Sequence, residues 1–143
     1  STMLIGPTGT GKSLALKFAY NRALRMAKGW PTSVFYAKEY HLFALFRDDD
    51  SADEFFSDFE KRKPRKIFLD ECFRKADWRD IHSDRDKAKI AHLNYYRFWD
   101  EYIYEADWDI ECVFVTGNSE PEEVISGSEN ERALIRRIRE VTK

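Results

Sequence analysis

Gly6-Pro7-Thr8-Gly9-Thr10-Gly11-Lys12-Ser13 fits the pattern G-x-x-x-x-G-K-[ST] at every position, the glycine-rich loop with which a backbone cradles phosphate. Apolar Met3, Leu4 and Ile5 precede it, as a short buried strand would. A helical pattern follows it in Leu14, Leu16, Phe18, Ala19, Ala23 and Leu24. Glycines let successive N–H groups turn inward, and the helix N-terminus adds partial positive charge. In that setting Lys12 reaches the β- and γ-phosphates of a nucleotide and Ser13 holds Mg²⁺. Strand, loop and helix agree, which a glycine turn before a merely structural helix would not require.

Outward from this loop, strand and helix patterns alternate. Residues 3–5 read as a strand, 12–28 as a helix, 29–31 as a turn and 34–37 as a second strand. Residues 39–46 read as a helix with Leu42, Phe43, Leu45 and Phe46 near one face. After the polar break 47–51, an acidic helix carries Phe55, Phe56 and Phe59 at helical spacing. Lys61-Arg62-Lys63-Pro64-Arg65-Lys66 is a basic connector into a third strand, 67–69. Residues 73–86 are polar and without a clear period. Residues 87–106 read as one long helix, 112–115 as a fourth strand, Pro121 as the opening of a short helix, and 129–141 as a final helix with Leu134, Ile135 and Ile138 inward. This alternation predicts an α/β fold, with a parallel sheet and helices on both faces.

Three further blocks carry chemistry. Ile67-Phe68-Leu69 leads into Asp70-Glu71. Ligands of open parallel sheets gather at strand carboxyl ends, so both carboxylates are expected to face the loop. Asp70 suits Mg²⁺ organisation, and Glu71 suits a general base that polarises an attacking water. Such a base favours hydrolysis over small-molecule phosphoryl transfer. Val113-Phe114-Val115 ends in Thr116-Gly117-Asn118, where an amide side chain can orient that water; the same residues are also turn chemistry. In the last helix Arg136 and Arg137 point away from the apolar stripe. One of them is a candidate arginine finger for a neighbouring subunit, while Arg132 and Arg139 read as a solvated face.

Together these blocks resemble the AAA+ ATPases, and among them the DnaC/IstB type, which includes bacterial and phage helicase loaders and transposition helper ATPases. The resemblance covers nearly the whole chain. It implies a three-layer P-loop NTPase fold with strand order 5-1-4-3-2, its fifth strand truncated here, and an ATPase core over residues 1–143 trimmed from a longer chain. ATP would bind at Gly6, Pro7, Thr8, Gly9, Thr10, Gly11, Lys12 and Ser13. Ser13 and Asp70 would hold Mg²⁺, Glu71 would act as base and Asn118 as sensor. Arg137, with Arg136 beside it, would reach in trans across a ring or spiral of identical subunits. The resemblance further implies a replicative helicase and single-stranded DNA as partners, in the cytoplasm of a bacterial, phage or viral system. The family's usual Thr-Ser-Asn is Thr-Gly-Asn here, and the segment from Phe73 to Asp109 is longer and more aromatic. Superfamily 3 replication helicases share the loop and the Ala133-to-Ile138 ending, and are the alternative. The long interval from Lys12 to Asp70 favours the loader. A nucleotide-dependent switch with little turnover is a third reading.

The 143 residues suffice for one domain and one core. A net charge of -2 gives no global basic field, so nucleic acid would need a local patch. Lys61 to Lys66 offers one, although such runs are commonly solvated connectors. Tyr95, Tyr96, Trp99, Tyr102 and Tyr104 could stack on bases, but their helical spacing fits a core or subunit interface better. Cys72 and Cys112 lack metal-ligand spacing and read as reduced thiols. His82 and His92 read as surface residues. No stretch approaches the ~20 apolar residues of a membrane span.

Overall fold

The computed structural model describes residues 1–30, 33–81, 85–125 and 129–143. Among them lie β1 (Thr2–Ile5), α1 (Lys12–Ala27), β2 (Val34–Lys38), α2 (Glu39–Phe46), α3 (Asp49–Arg62), β3 (Lys66–Cys72), α4 (Lys75–Ile81), α5 (Arg85–Arg97), a π-helical segment (Phe98–Tyr104), β4 (Cys112–Gly117), α6 (Pro121–Val124) and α7 (Glu129–Val141). The strands form one sheet in the order β1-β4-β3-β2, every pair parallel. Among the described residues this matches the 1-4-3-2 portion of the expected order, and no fifth strand is seen.

Alternation along the strands sorts side chains to two faces. Phe35, Ile67, Leu69, Val113 and Val115 join a large aromatic core with residues of α2 to α5, the π-helical segment and α7. Val34 and Phe68 pack with Leu16 and Ala23 of α1, and Tyr20, Tyr36 and Phe114 complete that smaller cluster. One helix therefore covers one face, and the others cover the opposite face.

Local chemistry explains several boundaries. The Asp48 carboxylate caps α3 by accepting the Ser51 N–H at 3.1 Å, with Asp49 and Asp50 in the first turn. Lys63, at φ 47°, ends that helix in the left-handed region, and Pro64 follows. Beyond Arg97 the helix widens to π geometry, seating Phe98, Trp99 and Ile103 in the core.

Three expectations need correction. The third strand extends beyond 67–69 through Cys72, so both carboxylates lie within it. The segment 73–86 contains α4, whose Trp78 is buried. The long helix 87–106 is an α-helix followed by a π-helical segment. No helix among the described residues is long and apolar enough to cross a membrane.

Candidate functional site

The P-loop stands at the carboxyl end of the sheet. Gly6 N–H donates to the Gly117 carbonyl at 3.1 Å, which ties the start of the loop to the end of β4. Gly9 and Gly11 both sit at φ 87°, a region that side chains rarely enter. Gly11 precedes α1, which has no side-chain cap and no acidic residue in its first turn. Its leading N–H groups and dipole therefore remain available to an anion. The Lys12 ammonium bends over the loop, donating to the Pro7 carbonyl at 2.8 Å and to Thr10 Oγ1 at 3.3 Å. Thr10 Oγ1 in turn donates to the same carbonyl at 3.0 Å. Pro7 to Gly11 are exposed, so the cradle is open to solvent.

Asp70, fully buried, ties the loop to the sheet. Its Oδ1 accepts Ser13 Oγ at 2.9 Å and Thr116 Oγ1 at 2.6 Å, and its Oδ2 accepts the Tyr36 hydroxyl at 3.0 Å. The Glu71 N–H is shared between Asp70 Oδ1 and Thr116 Oγ1, each at 3.0 Å. Burial alone would push the carboxyl up. Hydrogen bonds from Thr116, Ser13, Tyr36 and the Glu71 backbone outweigh it, and the carboxyl lies below its ordinary range. The Tyr36 phenol moves up, through burial and the adjoining Asp70 carboxylate. An ionised carboxylate beside a hydroxyl is a hard oxygen pair of the kind Mg²⁺ takes together with phosphate and water. Ser13 and Asp70 therefore fit that ion.

Glu71 occupies φ 54° and Phe73 φ 59°, a left-handed pair without glycine. Each such residue costs roughly 1–3 kcal/mol and persists only where surrounding contacts enforce it. The β3–β4 register shifts between Leu69 and Cys72, and this irregularity re-aims the strand end. The Glu71 carboxylate lies 3.6 Å from Lys38 Nζ and 3.9 Å from Arg74 Nη1. Asn118 donates its N–H to the Cys72 carbonyl at 3.0 Å, which sets it beside this segment. Gly117, between Thr116 and Asn118, is closely surrounded. A Cβ there would lie 2.7 Å from both Ile5 Cδ1 and Phe73 Cδ2.

Behind Phe73 lies a carboxylate that sequence reading passed over. Glu39, the first residue of α2, is fully buried. It accepts the Phe73 N–H at 2.5 Å, the Tyr95 hydroxyl at 2.7 Å and Trp78 Nε1–H at 3.4 Å. Burial pushes its carboxyl up to about 7 against the pull of these three donors, and Asp77 adds a smaller upward push. Only its position next to Lys38, whose register partner is Asp70, hints at this role in sequence.

The other candidates are placed as follows. Arg137 Nε lies 2.5 Å from Asp100 Oδ1, and its guanidinium stacks 4.1 Å from the Tyr104 ring centre. Arg136 is exposed beside it. Arg139 is partly solvent-exposed but not unpartnered: it bonds Glu120 and Glu122 at 2.7 Å each, tying α7 to the start of α6. In the basic connector, Arg62 donates to the Val34 carbonyl, and Arg65 and Lys66 pair with Glu111. Lys61 and Lys63 remain exposed. Tyr95 and Trp99 are core residues, and Tyr104 is exposed. His92 is not a surface residue but half-buried against Trp78, whereas His82 lies outside the described residues. Cys72 and Cys112 are both free, at opposite ends of the paired strands β3 and β4. Among the described residues no cluster of three acidic, His or Cys side chains could hold a metal by itself. No family model, no curated protein and no solved structure matches this chain.

Proposed function

We propose that this chain is an ATP-hydrolysing domain of the AAA+ type, acting in DNA replication as a loader or remodeller of a helicase. The observation that carries the reading is the 2.9 Å contact between Ser13 and Asp70, residues 57 positions apart. It joins an open phosphate cradle to a carboxylate held ionised. The P-loop N–H groups and Lys12 would bind the β- and γ-phosphates, with Ser13 and Asp70 holding Mg²⁺. That ion would offset phosphate charge during transfer to water. Glu71 would accept the proton of the attacking water, with Asn118 orienting it. β2, α2 and α3, between Lys12 and Asp70, support the loader over the superfamily 3 alternative.

The ion pairs of Glu71 with Lys38 and Arg74 favour a second reading, a nucleotide-dependent switch. A carboxylate so engaged is turned toward its partners rather than toward a water until nucleotide or a neighbour releases it. Arg137, folded onto Asp100 and Tyr104, would likewise have to swing free to serve another subunit. Arg136 needs no such release.

ATP turnover per subunit, measured against protein concentration with and without single-stranded DNA, tests both readings. A rise with each supports a shared site and a nucleic-acid-coupled loader. A flat, negligible rate leaves the switch. Lys12→Ala is expected to lower turnover by about 10²–10³-fold, the scale seen when one preorganised charge-stabilising donor is removed.

A further inference from the structure

We infer that Glu39 is a positioning residue for Glu71, acting from inside the aromatic core on the strained backbone that carries it. The inference rests on the hydrolytic reading above, in which Glu71 is the base. Glu71 and Phe73 hold left-handed backbone angles. The segment between them is fixed at three points. Asp70 and Thr116 share the Glu71 N–H in front. Asn118 donates its N–H to the Cys72 carbonyl at the side. Glu39 accepts the Phe73 N–H behind.

Asp70 is tied to α1 through Ser13, whereas Glu39 draws its anchorage from α4 and α5. Its carboxylate also accepts from Tyr95 on α5 and Trp78 on α4. Among the described residues no cation is a hydrogen-bond partner of Glu39, and burial opposes its charge. Such a group is expensive to keep in a core that Leu could fill. What it supplies is an acceptor for an N–H that the left-handed turn directs away from the β3–β4 ladder. Without it that N–H is buried and unpaired, and the turn can relax into ordinary strand geometry. Because strand side chains alternate between faces, relaxation would carry the Glu71 carboxylate away from the loop.

The test compares Glu39→Ala, Glu39→Asp, Glu39→Gln and Tyr95→Phe in the full chain. Glu39→Asp keeps the charge and loses the reach, and it serves if Glu39→Ala fails to fold. Three readouts are taken: maximal ATP turnover, affinity for a fluorescent ATP analogue, and hydrogen exchange at the Phe73 amide. Loss of reach is expected to lower maximal turnover about tenfold to a hundredfold, the scale of a misplaced reacting group. Nucleotide affinity should hold, because the P-loop is untouched. The Phe73 amide should exchange at least about tenfold faster, as a local opening would. Glu39→Gln keeps an acceptor and should restore turnover. Tyr95→Phe, which removes one anchor of Glu39 but leaves its contact with Phe73, should lower turnover less than Glu39→Ala does. Wild-type turnover in both Glu39→Ala and Glu39→Asp overturns the inference, as does an equal loss in Tyr95→Phe. A wild-type chain that turns over no ATP overturns the hydrolytic reading and removes Glu39 from catalysis with it.

Discussion

The two faces of the sheet are built to different standards. Among the described residues, 23 buried residues form the cluster on the face that carries α2 to α5 and α7, and four form the cluster under α1. The larger face is a continuous array of rings. Phe46, for example, lies within 5.4–6.2 Å of Phe55, Phe56, Tyr95 and Phe98. On the other face, the outer side of α1 leaves Leu14, Phe18 and Met26 more than 60% exposed. Stability is thus concentrated behind the sheet, while α1 presents its first turn to the glycine-rich loop. Core packing and the proposed site meet at the strand ends, at Asp70, Glu71 and Phe73.

Four substitutions or titrations sharpen this contrast. Phe46→Ala should cost about 3–5 kcal/mol in denaturant unfolding, because its rigid aromatic surroundings cannot collapse into the space. A cost below that of Leu16→Ala, on the α1 face, would break the contrast.

The pH dependence of stability addresses Glu39, the buried carboxylate bonded to Tyr95 and Trp78 of the aromatic core. With its folded-state value near 7 against an ordinary 4.5, Glu39 binds its proton more tightly in the native state. Its contribution is full below about 4.5 and is lost as pH rises toward about 7. The loss is on the order of 3 kcal/mol for a fully buried group. Wild type minus Glu39→Gln, followed by chemical denaturation from pH 4 to 8, isolates this slope from Asp70, which acts in the opposite sense in acid. A difference flat in pH would place the ordinary carboxylate value on Glu39.

Gly117→Ser should destabilise by about 1–3 kcal/mol through overpacking against Ile5 and Phe73. A neutral result in thermal unfolding would show that these side chains yield. Smallest of all, Phe18→Ser on the exposed side of α1 should stay within about 0.5 kcal/mol of wild type. A larger loss would mean that this side is covered in the folded chain.

The strands and helices were legible because their signals are local. Each rests on a period of two or of 3.6 within a dozen residues, and the P-loop is contiguous. Asp70 and Glu71 were legible because an apolar strand ending in carboxylates is also a local pattern. What failed was of two kinds. The strand end at Cys72 and the change to π geometry at Phe98 depend on packing rather than propensity. The half-burial of His92 and the ion pairs of Arg139 depend on partners from other elements.

From the residues alone came an α/β chain with a glycine-rich loop, a following helix, and acidic and amide groups at successive strand ends. Tertiary structure decided which oxygen meets which: Ser13 with Asp70, Tyr36 with Asp70, and Glu39 with Phe73. It also decided that the Arg62, Arg65 and Lys66 cations are engaged within the fold, and that the Glu71 carboxylate rests between two cations. The reason is mostly distance along the chain: apart from the Glu71–Arg74 pair, these contacts join residues 28 to 57 positions apart and leave no periodic trace in sequence. Their worth is set by burial, which raises or lowers the value of the same carboxylate according to the donors that surround it.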